Sequence, residues 1–153
     1  MKISLADPAD ERVRPILEQH LAEMHATSPP ESVHALDIDE LRHSDVSFYV
    51  GEEDGDVLVC GALKRLGSGD GELKSMRTIE QARGRGLASL MLEHLLDVAR
   101  SRGYPSIRLE TGAEDYFAAA RRLYARHGFV EGEPFAHYTF DANSVYMHLD
   151  LRD

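Results

Sequence analysis

Six residues carry the densest chemical signal in this 153-residue chain: Gln81-Ala82-Arg83-Gly84-Arg85-Gly86, set between a strand-like run and a strongly helical one. A backbone that leaves a strand through glycines and enters a helix presents several unpaired N–H groups and the positive end of the helix dipole to one point. A phosphate suits that point. Gly84 and Gly86 permit positive φ and close backbone approach, and Arg83 and Arg85 add charge around the anion. The plainer reading is a loop that needs glycine for its turn. Two phosphate motifs do not fit. A P-loop would need Lys-Ser or Lys-Thr behind the glycines. A dinucleotide fingerprint would need a third glycine where Ser89 stands, although Glu110, near the end of the next strand candidate, imitates its ribose-binding acid.

Other chemistries find little support. The single cysteine, Cys60, lies in an apolar strand-like run as a small hydrophobe, so neither a disulfide framework nor a cysteine-rich zinc site is expected. No serine sits in a G-x-S-x-G elbow. His20 and His25 are five apart and His25 and His34 nine, neither being the i, i+4 pair of a helical metal site, so no metal is expected. Charge is uneven: the net of -10 divides into -9 over residues 1–71, +3 over 72–130 and -4 over 131–153. An acidic chain repels polyanions, so nucleic acid and anionic membrane are disfavoured as partners, while one basic segment can hold a small anion.

These residues must be positioned by a fold, and length and composition bound it. With 42% hydrophobic and 29% charged residues and a mean hydropathy of -0.36, one globular domain over residues 1–153 is expected. The longest apolar stretch, Val57 to Leu63, is too short to span a bilayer. Asp7, Asp10 and Glu11 stand where a signal peptide would need an apolar run, which makes the cytoplasm the expected compartment. Strands are expected over 2–6, 47–52, 57–66, 72–79, 105–111, 129–131 and 144–151. Helices are expected over 8–25 (apolar face Val13, Leu17, Leu21, Met24), 33–42, 87–102 and 114–127. Asp54-Gly55 marks a hairpin between the second and third strands. The order β-α-α-β-β-β-α-β-α-β-β describes an α/β (by some schemes α+β) domain with a mixed sheet flanked by helices.

Gln81-Ala82-Arg83-Gly84-Arg85-Gly86 also matches Q/R-x-x-G-x-G/A at every specified position, and here the sequence resembles the GCN5-related N-acetyltransferases (GNAT). Leu73-Lys74-Ser75-Met76-Arg77-Thr78 resembles that family's fourth strand. Ala120-x-x-Leu123-Tyr124-x-x-x-Gly128-Phe129 resembles its later helix and strand, in the family's order and spacing. Ser28-Pro29-Pro30-Glu31-Ser32, Leu109-Glu110-Thr111-Gly112 and Asp141-Ala142-Asn143-Ser144-Val145-Tyr146-Met147 resemble a bacterial subgroup of poorly defined substrate. One departure is Phe117, where many relatives carry an asparagine; it is expected in the core or as an apolar wall of the cofactor site.

The resemblance implies a mixed, mostly antiparallel sheet and direct transfer of acetyl from acetyl-CoA to a primary amine of a small molecule or peptide, in a ternary complex with no acyl-enzyme. It puts Tyr124 near the departing sulfur as acid. It makes Glu72 a candidate base acting through water, with His137 and Tyr138 as alternatives. Strand alternation places Glu72, Lys74, Met76 and Thr78 on one side, where Lys74 either keeps the carboxylate ionised or is its salt-bridge partner. Met76, Arg77 and Thr78 would hold pantetheine and oxyanion through backbone groups, with Gln81, Ala82, Arg83, Gly84, Arg85, Gly86, Leu87 and Ala88 around the pyrophosphate and Phe117 and Ala120 beside the arm. His25, Ser28, Glu31, His34, Phe135 and Tyr138 are acceptor-site candidates, and the acidic first segment favours a cationic amine. A non-catalytic acyl-CoA-binding module would keep the loop without needing Glu72 or Tyr124. Homodimerisation through an edge strand over 144–151 is a further expectation.

Overall fold

The computed structural model describes residues 1–27, 38–136 and 138–152. In chain order its elements are β1 (Lys2–Leu5), α1 (Arg14–Thr27), α2 (Ile38–Leu41), β2 (Val46–Glu53), β3 (Asp56–Arg65), β4 (Gly71–Thr78), α3 (Leu87–Ser101), β5 (Ser106–Gly112), α4 (Ala118–Arg126), β6 (Val130–Glu131) and β7 (Ser144–Asp150). The strands form one seven-stranded sheet in the order β1-β2-β3-β4-β5-β7-β6. Every pairing is antiparallel except β4 with β5.

Period-two alternation lets the middle strands bury both faces. Phe48, Val50, Cys60 and Ala62 join Val13, Ile16 and Leu41 on one side, whereas Tyr49, Val59, Leu63, Leu73 and Leu109 join α3 and α4 on the other. On α3, Met91, Leu92, Leu95 and Ala99 are fully buried, and each of the larger three contributes about 1.5–3 kcal/mol by leaving water.

Four expectations change. The helix expected from residue 8 begins at Arg14, because Asp7 and Asp10 bond the backbone N–H groups of Ala9 and Arg12 and stabilise turns instead. Its buried side is Val13, Ile16 and the partly buried Leu17 and His20, while Leu21 is 42% exposed. At 100° per residue, the i, i+4 stripe through Leu17 and Leu21 drifts round the helix, whereas 13, 16 and 20 stay together. The helix expected over 114–127 opens with a 3-10 turn at Asp115–Phe117. Finally, β7 is not an edge: it lies between β5 and β6, so the sheet's edges are β1 and the two-residue β6. Of the helix expected over 33–42, Ile38–Leu41 is helical and residues 33–37 fall outside the described residues.

Candidate active site

The site grows from an interrupted strand. On β3, Cys60 pairs with Arg77 and Ala62 with Lys74, so β4 carries one residue more than its partner across this step. That bulge places Ser75 at φ 55°, and the Cys60 thiol donates to the Ser75 carbonyl at 3.2 Å. The bulge overturns the expected single-sided alternation of β4. Met76 turns against the cluster containing Met91 and Leu95, while Glu72 and Lys74 point to Tyr138 on the opposite side. Beyond the bulge β4 and β5 separate. They pair at Gly71–Ile107, Glu72–Arg108 and Leu73–Leu109 and nowhere further along.

Two cavities open where the strands part. One, of about 460 Å³, runs along the start of α3 and is lined by Met76, Arg77, Thr78, Ala82, Arg83, Gly84, Gly86, Leu87 and Ala88, with Ala120 and Leu123 from α4. The other, of about 100 Å³, is the more polar of the two and includes Glu72, Lys74, Glu110 and Tyr138. His20, Met76, Phe117, Ala120 and Tyr124 line both.

At the mouth of the larger cavity Gly84 (φ 81°) and Gly86 (φ 78°) both take left-handed backbone, which ordinary side chains disfavour. Gly86 caps α3 without a side-chain hydrogen bond, so the helix opens with its first N–H groups directed at the cleft. Arg83 lies 3.3 Å from Glu23, which also pairs with Arg77 and accepts from the Tyr116 hydroxyl. Arg85 turns from the cleft to a two-pronged contact with Glu53 at 2.8 and 2.9 Å, and the exposed Gln81 does not line the cleft.

In the polar cavity Lys74 Nζ donates to Glu72 Oε2 and to the Tyr138 hydroxyl, and that hydroxyl donates to the same Glu72 oxygen, each at 2.8 Å. Glu72 is 1% exposed, and its Oε1 is buried without a hydrogen bond among the described residues. Tyr138 therefore serves as a donor to Glu72, and desolvation followed by the Glu72 charge raises its phenol far above the ordinary range. Desolvation pushes the Glu110 carboxyl up to about 7 against the opposing hydrogen bond from Ser144, and pushes the His20 imidazole down to about 4 with help from Arg77. Tyr124 is buried, stacked edge-on against Phe129, and its hydroxyl has no hydrogen bond among the described residues. Desolvation, then the charge of Glu110, raises its phenol. Cys60 is fully buried and its thiol is pushed up to about 12, so it supplies no thiolate.

The acceptor candidates divide. Tyr138 is in the site. Phe135 is buried beside it, edge-on to Tyr138 and Tyr146, and borders a separate cavity of about 380 Å³. His25 is exposed and lines none of these cavities. Ser28, Glu31, His34 and the alternative base His137 fall outside the described residues. His20, Tyr116, Ser89 and Arg126 line the larger cavity without having been expected there. His20 was legible, since it continues the spacing of Val13 and Ile16. The ribose-binding role that Glu110 would have in a dinucleotide fold fails on placement, because Glu110 faces the polar cavity and not the glycine loop. Among the described residues no group of three His, Cys, Asp or Glu side chains gathers to hold a metal ion, and no helix is long and apolar enough to cross a membrane.

A parted β4–β5 pair beside a glycine-led helix is the arrangement that the resemblance to the acetyltransferases implies, and comparison with known proteins agrees. A sequence model of the acetyltransferase (GNAT) family matches residues 13–129. An uncharacterized N-acetyltransferase of Bacillus subtilis, YsnE, is 42% identical over 96% of this chain and 97% of its own length. Another from Escherichia coli, YedL, is 44% identical over 91% of this chain and 87% of its own. The crystal structure of a proposed acyl-CoA N-acyltransferase from Klebsiella pneumoniae superposes with a TM-score of 0.84 at 29% identity, covering 99% of this chain and 97% of that one. The chain belongs to the acetyltransferase (GNAT) family. It is an acyltransferase, with N-acetyltransferase activity of the GNAT type.

Proposed function

We propose that residues 1–153 form one N-acetyltransferase domain that transfers acetyl from acetyl-CoA directly to a primary amine in a ternary complex. The observation that carries this reading is the meeting of two unlike cavities at Tyr124. The larger suits a phosphate-bearing pantetheine arm, with backbone N–H groups from Gly84 to Ala88 for the pyrophosphate, Arg83 as charge partner and Phe117 and Ala120 as apolar walls. Arg85, engaged by Glu53, serves the loop's conformation. Bound acetyl-CoA supplies the thioester that the amine attacks.

The polar cavity takes the acceptor. Its charged and hydroxyl groups suit a small cationic amine. Glu72 Oε1 requires one further donor, which an ordered water provides. Tyr124 donates its proton to the departing sulfur; with no other hydrogen bond to break, its hydroxyl is free to turn toward that atom.

Calorimetric titration with acetyl-CoA, followed by thiol release on addition of primary amines, tests the reading. Gly84→Glu, which puts bulk and negative charge in the loop, is expected to abolish binding. Tyr124→Phe is expected to lower kcat about 10–100-fold with acetyl-CoA affinity unchanged. Failure of the unaltered protein to bind acetyl-CoA, or full turnover by Tyr124→Phe, would reject the respective parts.

A further inference from the structure

Two carboxylates line the polar cavity, and their surroundings differ. Glu72 is shut from solvent, and its Oε2 is occupied by Lys74 and Tyr138, so its charge is matched by a buried ammonium. Glu110 stands two residues beyond Arg108, the β5 residue paired with Glu72, on the stretch of β5 that no longer touches β4. It is half-buried, opposite Tyr146 of β7. Ser144 Oγ donates to its Oε2 at 2.6 Å, and no described residue bonds its Oε1. Glu110 can therefore exchange a proton with solvent as well as with the cavity, whereas Glu72 is closed to solvent and its Oε2 is already engaged.

We propose that Glu110, and not Glu72, takes the proton from the acceptor's ammonium, while Glu72, Lys74 and Tyr138 act as a positioning cluster that fixes the cavity wall. This rests on the amine-acetylation reading above. One N–H proton passes to a Glu110 carboxylate oxygen, and the freed nitrogen lone pair forms the C–N bond to the acetyl carbon. The C–S bond then breaks, and its electron pair leaves on sulfur. Tyr124 protonates the sulfur and recovers its proton from the second N–H; the third N–H remains on the amide, and Glu110 returns its proton to solvent.

Electrostatics favours this division. A carboxyl pushed up to about 7 by desolvation is matched to proton transfer near neutral pH far better than one in the ordinary range. The Glu110 charge also raises the Tyr124 phenol, so a proton arriving on Glu110 removes that charge and makes Tyr124 a better acid when the sulfur leaves. The groups facing Glu110 are Lys74 and Glu72 from β4, Tyr124 from α4, His20 from α1, Tyr138 and Asp141 from the segment before β7, and Ser144 and Tyr146 from β7.

The test uses the full chain in two readouts. In carbon-13 titration of the glutamate carboxyls, which needs no acceptor, one signal is expected to titrate near pH 7 and to vanish in Glu110→Gln. Loss of a signal that titrates in the ordinary carboxylate range would overturn the proposal. In kcat/KM profiles with acetyl-CoA and whichever of spermidine, L-lysine or tryptamine turns over fastest, the acid limb is expected to disappear in Glu110→Gln, with kcat about 100-fold lower and acetyl-CoA affinity retained. Glu72→Gln is expected to keep that limb. A limb that survives in Glu110→Gln, or disappears in Glu72→Gln, overturns the proposal. Absence of acetyl-CoA binding by the unaltered chain overturns the functional reading itself, and the two failures are thereby distinguishable.

Discussion

At the scale of single residues the polar cavity is governed by the cost of burying charge. Lys74 and Glu72 are both nearly solvent-free, and neither could be buried alone without several kcal/mol of uncompensated desolvation. Lys74→Met should therefore destabilise by about 3–5 kcal/mol, lowering Tm by roughly 10 °C in a chain of this size. Adding Glu72→Gln should restore much of that loss, because the orphaned charge goes with it. A double-mutant cycle read by thermal unfolding checks this, and additivity of the two changes would refute the pairing. Glu72 and Lys74 were legible in sequence because i, i+2 spacing on a strand puts two side chains on one face. Their third partner was not. Tyr138 lies 66 residues from Glu72 in an irregular segment, and local periodicity carries no information about such contacts.

At the scale of elements the decisive feature is the bulge in β4, which parts the strand from β5 and turns Met76 across the sheet. Gly61 is the β3 residue at this step. A Cβ there would lie 2.7 Å from Met76 Sδ and 2.9 Å from Leu95 Cδ1. Gly61→Ala should thus press on both the bulge and α3, costing about 1–3 kcal/mol by overpacking and weakening acetyl-CoA binding through displacement of Met76. Urea unfolding and calorimetry would test it; unchanged stability with unchanged affinity would show that Met76 yields at no cost. Element order was readable throughout because the apolar runs alternate between periods of two and 3.6. The bulge was not, since Ser75 at positive φ has no turn signature and is imposed by its neighbours. The phase of α1 is not legible for a different reason: Leu17, Leu21 and Met24 also fit helical spacing, and which stripe faces the sheet is settled by tertiary packing.

At the scale of the whole molecule, two desolvated groups give opposite pH dependences to stability. Glu110 has a folded pKa of about 7, raised from the ordinary glutamate range. Between those values the folded state holds a proton that the unfolded state has released, so its contribution, complete at low pH, is lost as pH rises through about 7. His20 is depressed to about 4 from the ordinary imidazole range. Its contribution is present above the unfolded value and is lost as pH falls through about 4, so over much of the same window it makes stability rise with pH. The exposed carboxylates Glu53 and Asp150, held below their usual range by Arg85 and Arg152, change protonation mainly below this window. The unaltered protein should therefore show a shallow profile between about pH 5 and 7. Glu110→Gln removes the falling component and should leave stability climbing with pH, while His20→Gln should leave it declining, each by roughly 1–3 kcal/mol across the window. Denaturant unfolding of the three proteins at half-unit pH steps decides the matter. Parallel profiles would mean that neither group titrates as its desolvation requires, whereas opposed slopes would show that both groups lining the smaller cavity are desolvated, as the proposed proton transfer to Glu110 needs.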